Sequence, residues 1–111
     1  MKELLLAVEK LANEELNRSY KKFPSFHSPH EGYAVIKEEL EETDEEVTGI
    51  KHGAMCMWSA IRCNDVTPVY LNEIKEHAIH AAAEAIQVAA MAQKFLNSGC
   101  ASEPVEGREK K

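Results

Sequence analysis

The sequence is poor in the features that commit a chain to a sheet, a membrane or a nucleic acid. Aromatic residues make up 6% of it, and no segment alternates apolar and polar residues as a half-buried strand does. Positive charge is scarce: 13 Lys and Arg stand against 19 Asp and Glu, for a net charge of -6, and no basic cluster exceeds the terminal "REKK". That balance excludes a general DNA- or RNA-binding role, which needs a positive footprint. A phosphate substrate stays open, because a bound divalent cation inverts the local sign. Apolar runs are short. "VAAMA" is far from the length a bilayer requires, and "LLLAV" near the start passes at once into "EKLANEEL", so neither a membrane span nor a signal peptide is expected and the chain reads as cytoplasmic. Cysteine is limited to Cys56, Cys63 and Cys100, an odd count with no CxxC spacing. Cys56 and Cys63 lie two turns apart on one helical face, a rise of about 10 Å that no disulfide spans within a helix; they read as inert thiols of a reducing compartment. The zinc-protease HExxH is absent, and so is the ExxH pair of carboxylate-bridged di-iron bundles.

What remains is helix. The 111 residues suffice for one domain, and 44% of them are hydrophobic, the share of an ordinary globular protein. Four breaks divide the chain: "FPSFHSPH", "CNDVTP", "NSG" and the polar "ASEPVEGREKK". A first helix is predicted over residues 2–20, with Leu5, Val8, Ala12 and Leu16 as its apolar stripe, widened by Leu4 and Leu11. A second begins at a capping box, in which Ser28 caps, Pro29 occupies the first helical position and Glu31 stands three residues on. A repeat alternating fours and threes then runs through Ile36, Leu40, Thr43, Val47, Ile50, Ala54, Met57 and Ile61, so this helix should reach Arg62, with Gly49 and Gly53 as points of weakness. Thr67 and Pro68 open a third, whose seam is Leu71, Ile74, Ala78, Ala81, Ala85, Val88, Ala92 and Phe95, ending near Asn97 with Gly99 as a left-handed cap. The fold expected is all-α: a long antiparallel helical hairpin with the N-terminal helix packed across it, one domain over residues 1–98 and a disordered tail over 99–111. Such a hairpin has more apolar face than one short helix can cover. A homodimer with a four-helix core is the natural completion.

The segment Glu31–Val47 holds eight carboxylates in seventeen residues. Glu41, Asp44 and Glu45 belong to a solvated face. Glu39 and Glu42, three apart, flank the seam, while on the third helix Glu84 and Gln87 are also three apart and precede the seam residues Ala85 and Val88. With the hairpin turn centred near Asp65, the two pairs meet with an offset of four residues, about 6 Å. Glu84 is a lone charge in the apolar run "HAAAEAIQVAAMA", and a buried carboxylate requires a cation, a basic partner or water. Oxygen groups converging from two helices suit one or two hard cations such as Mg²⁺. His77 and His80 read as polar surface or as groups behind the ligands, and His27 and His30 as loop and cap residues.

"EGYAVIKEELEE" followed by "EAIQVAAMAQKFL" resembles the MazG-like branch of the all-α nucleoside triphosphate pyrophosphohydrolases, closest to small members found in bacteria and their phages. The resemblance covers residues 31–96. The family pattern is EExxE on one helix and ExxD on a later one; here "EELEE" supplies Glu38, Glu39 and Glu42, and "EAIQ" supplies Glu84 and Gln87. The resemblance implies a helical bundle that forms dimers or tetramers and binds Mg²⁺ or Mn²⁺ through these residues. It also implies hydrolysis of a (d)NTP to monophosphate and pyrophosphate. Glu39, Glu42 and Glu84 would then be metal ligands, with Gln87 a weak or water-mediated one and Glu38 a base or a group behind the ligands. Two departures stand out. Gln87 occupies the family's aspartate position and brings no charge, and the stretch between Glu42 and Glu84 is lengthened through "GIKHGAMCMWSAIRCND". The rival expectation is a catalytically silent oligomerisation or binding module that keeps the bundle without the metal set. Tyr33, Trp58, Tyr70 and Asn72 have the side-chain types that line base pockets.

Overall fold

The computed structural model describes residues 1–65 and 67–99. Three helices account for nearly all of them: α1 (Lys2–Lys22), α2 (Pro29–Arg62) and α3 (Pro68–Asn97), with no strand among the described residues. The expected tail lies outside the described residues apart from Gly99, whose φ of +75° is the left-handed value foreseen for it. None of the three helices is long and apolar enough to cross a membrane.

The helix ends fall where local chemistry puts them. Ser28 Oγ accepts from the Glu31 backbone N–H at 3.1 Å, and the Glu31 carboxylate reaches back to accept from the His27 N–H at 2.7 Å. Together they satisfy two donors at the start of α2. Thr67 Oγ1 accepts from the Val69 N–H at 3.2 Å, with Pro68 at the first position of α3. At the far end of α2 the chain turns through Asn64, held at φ +56°. The Asp65 N–H bonds the Ala60 carbonyl and the Asn64 N–H bonds that of Ile61, at 2.8 and 3.0 Å. That crossed pair of bonds is a Schellman stop, with asparagine in the left-handed place usually taken by glycine.

α2 and α3 form the predicted antiparallel hairpin, and α2 runs unbroken through Gly49 and Gly53. The two glycines mark close approach instead of a break: a side chain at Gly49 would collide with the His77 ring, and one at Gly53 with Ile74. Facing pairs such as Gly53 with Ile74 and Glu46 with His80 put the axis of the hairpin near Cys63, two residues before the expected centre. Glu42 and Glu84 are therefore level, as are Glu39 and Gln87, and the four-residue offset disappears.

One expectation needs correction: only one flank of each three-four repeat faces the partner helix. Ile74, Ala81, Val88 and Phe95 turn inward together with Tyr70, His77, Glu84 and Met91, while Leu71, Ala78, Ala85 and Ala92 are exposed; on α2, Leu40, Ala54 and Ile61 are exposed as well. A stripe that serves two neighbours is wider than one helix–helix contact, and the inner flank here carries the polar residues. The N-terminal helix α1 covers only part of the hairpin, as expected of one short helix. It packs on α3, and the core it closes is small: Leu16, Phe26, Ala90 and Met91, flanked by Tyr20, Val35, Ile36 and Phe95. Leu4, Leu5, Leu6 and Leu11 extend past that core and are exposed. The radius of gyration is 18.8 Å, against about 13 Å for a compact chain of this length.

Candidate functional site

The inner flank of the hairpin brings the predicted carboxylates together. Glu38 and Glu39 are adjacent on α2 with Glu42 about one turn on, and one carboxylate oxygen from each falls within 4.8 Å of the other two. Glu84, half-buried on α3, is close enough for its charge to act on both Glu39 and Glu42. Four acidic groups in this space repel one another. Burial first, then the charges of Glu42, Glu84 and Glu38, push the Glu39 carboxyl up to about 7. Glu84, ahead of burial and of Glu38 and Glu45, raises the Glu42 carboxyl in the same direction. An oxygen-rich set that holds a proton this tightly has the composition for a hard divalent cation, which would replace the proton and quench the repulsion. Gln87 is half-buried and shares with Glu39 the lining of the cavity described next.

His77 and His80 do not join this set. They turn their Nδ1 atoms to opposite oxygens of Glu46, at 2.8 and 3.7 Å, and so tie α3 to α2 one turn beyond Glu42. The bond from His77 is the main reason the Glu46 carboxyl is held below its ordinary value. His27 and His30 are exposed near the start of α2, as expected. Cys56 and Cys63 are free thiols; the Cys56 sulfur lies 3.8 Å from the His52 ring.

A cavity of about 650 Å³ opens beside the carboxylates. α1, the 23–28 loop, the first turns of α2 and the last turns of α3 enclose it. Glu39 and Gln87 stand at one end. Arg18, Lys22, Phe23, Phe26, Met91 and Lys94 form much of the rest. None of the candidate base-pocket residues Tyr33, Trp58, Tyr70 and Asn72 lines it. Tyr33 and Trp58 face solvent instead, at 63% and 59% exposure. They sit on the outer flanks of α2, for the same reason that Leu40 and Ile61 do.

Sequence reasoning missed the cavity's most unusual residue. Lys94 is 1% exposed, the single buried charged side chain among the described residues. Its ammonium donates to Ser19 Oγ at 2.8 Å and lies 5.1, 5.5 and 5.9 Å from the ring centres of Phe26, Tyr20 and Phe23. Burial lowers its pKa, and the distant Glu31 charge offsets part of that. The only sequence signal for it was a lysine in the last turn of an apolar helix, which ordinarily serves the helix dipole.

Compared with protein-family models, with curated proteins and with solved structures, the chain matches none.

Proposed function

We propose that this chain is a Mg²⁺-dependent nucleoside triphosphate pyrophosphohydrolase of the MazG-like kind. The observation that carries the reading is the cluster of Glu38, Glu39 and Glu42 at the end of a cavity, with the Glu84 charge acting on it from α3 and the Glu39 carboxyl pushed up to about 7, first by burial and then by its acidic neighbours. Glu39, Glu42 and Glu84 are the residues to hold the cation (Mn²⁺ serving in place of Mg²⁺), and the Gln87 amide oxygen adds a neutral, weaker donor. When bound, the cation supplies charge neutralisation for the triphosphate and polarises its phosphorus–oxygen bonds. Glu38 is exposed and close to the other carboxylates, so it is assigned as base. Water adds its oxygen to the α-phosphorus and its proton passes to the carboxylate. The bond from that phosphorus to the bridging oxygen breaks, and pyrophosphate leaves.

The test is pyrophosphate release from a panel of ribo- and deoxyribonucleoside triphosphates with millimolar Mg²⁺. Release that needs the metal and is lost in Glu84→Gln is the expected result. A purified, folded protein that releases none from any member of the panel overturns the reading.

One observation favours a second reading, a silent helical binding module. The outer flanks of α2 and α3 expose the large apolar side chains Leu40, Met55, Trp58, Ile61, Leu71 and Ile79, and exposed apolar surface of this kind marks interaction faces when it gathers into a patch. A second copy of the chain is the occupant both readings share, as a homodimer or a pair of dimers. Light scattering at micromolar concentration is expected to give a mass of at least twice 12.4 kDa. A well-folded monomer at that concentration would count against assembly.

A further inference from the structure

Lys94 is costly to the fold as it stands. An ammonium has three N–H groups, and among the described residues one hydrogen bond, to Ser19, is all that a side chain provides. No carboxylate among the described residues forms an ion pair with it. Three ring faces supply partial compensation through their quadrupoles. A methionine or leucine would fill the same space without the desolvation penalty. The position is also specific: Lys94 follows Gln87 by seven residues, so its Cα is about 10 Å along α3 from the carboxylate end of the cavity. A nucleotide held by its phosphates at that end would extend its base about this far.

The surroundings match a base better than a second phosphate. Phe23, Pro24, Phe26, Val35 and Met91 give the cavity apolar and aromatic walls, and aromatic faces take a planar heterocycle by stacking. Arg18 is already engaged by Glu15 at 2.7 Å. Phe23 is 68% exposed on the loop before α2, so it forms a wall at the solvent side and bears little of the core.

We infer that the cavity is a nucleobase pocket in which Lys94 selects bases carrying a carbonyl oxygen at the edge opposite the sugar: guanine, hypoxanthine, uracil and thymine over adenine and cytosine. The inference rests on the pyrophosphohydrolase reading, because the phosphate end of the ligand is assigned from it. The ammonium donates to a keto oxygen. It cannot accept from the amino group that adenine and cytosine present at the equivalent place, so those bases leave a buried donor facing a donor.

The experiment uses uncharged nucleosides without metal, which separates base recognition from phosphate binding. Inosine is compared with adenosine, and uridine with cytidine, by NMR titration of the full-length protein. Each keto partner is expected to bind roughly tenfold more tightly, the effect of one charge-assisted hydrogen bond. Lys94→Met, which refills the buried channel with an apolar chain, is expected to erase the preference. Phe23→Ala changes an exposed residue and leaves Lys94 in place; it is expected to weaken all four nucleosides several-fold and keep their order. Equal binding within each pair, no binding of any nucleoside, or a folded Lys94→Met that retains the preference overturns the inference. If Lys94→Met fails to fold, the wild-type preference and the Phe23→Ala series still decide it. Metal-dependent pyrophosphate release with no base preference removes the base pocket and leaves the hydrolase. A keto preference with no release from any triphosphate does the opposite.

Discussion

Gln87→Asp is expected to tighten Mg²⁺ binding and to raise pyrophosphate release by roughly tenfold or more, since ligand charge count sets affinity at such sites. Gln87 stands level with Glu39 at the cavity end, so the new carboxylate joins a cluster that is already repulsive. Its effect on stability changes sign with the metal. The Glu39 carboxyl is raised from 4.5 to about 7, so the folded chain holds that proton more tightly than the unfolded chain does. The resulting stabilisation is complete below about pH 4.5 and lost as pH rises through about 7. At pH 8, above the Glu39 value of about 7 and without metal, a further carboxylate beside Glu39 should cost about 1–3 kcal/mol. With Mg²⁺ present the same substitution should raise the melting temperature above that of the wild type. Thermal melts at pH 8, with and without millimolar Mg²⁺, read both arms. A mutant that melts lower in each condition shows that these carboxylates form no metal site.

Gly32→Ala is expected to destabilise the protein by about 1–3 kcal/mol. In a helix interior the same change ordinarily stabilises by about 1 kcal/mol, so its sign alone is informative. Gly32 is buried in the first turns of α2, and a methyl group there would be driven into the ring of Phe95. That ring cannot simply withdraw, because it packs edge-on against Phe26 with centroids 6.1 Å apart. The expected fall in melting temperature is on the order of 10 °C. Phe95→Leu should recover part of it in the double mutant, since a smaller side chain leaves room for the methyl. A Gly32→Ala protein that melts at or above the wild-type temperature refutes the packing argument. Because Phe26 also lines the cavity, the same repacking should disturb ligand binding.

The helices were legible because their signals are local. Ser28, Pro29, Thr67 and Pro68 act on the backbone beside them, and α2 and α3 begin and end at the residues those signals indicate. The pairing of Glu39 and Glu42 with Glu84 was legible too, since hairpin arithmetic needs only the turn. The turn was misplaced by two residues because its centre was set at Asp65, inside "CNDVTP", whereas the facing pairs put the axis near Cys63, at the start of that segment. Which flank of a three-four repeat faces the partner was not legible. Apolar residues stand on both flanks, and Glu84, which the sequence places just before the seam in an apolar run, lies on the inward side. Lys94 and the cavity were least visible. They depend on Tyr20, Phe23 and Phe26 arriving from α1 and from a loop that looked like mere punctuation, and no spacing rule connects those residues to position 94.

The register of the hairpin also bears on how the site is assembled. Because facing residues are nearly equidistant from the turn at Asn64, each further pair closes a loop only slightly longer than the one before, and the entropy of closure grows slowly. The hairpin can therefore zip outward from its stop, a low-contact-order route that favours fast folding. Glu42 and Glu84 meet only after about four and a half turns of each helix have paired. The cavity comes later still, since α1 reaches α3 across far longer separations: Lys94 bonds Ser19 over 75 residues and Asn97 bonds Tyr20 over 77. The carboxylates would then assemble before the pocket beside them, and a fluctuation that releases α1 would open the pocket while leaving the acidic cluster intact.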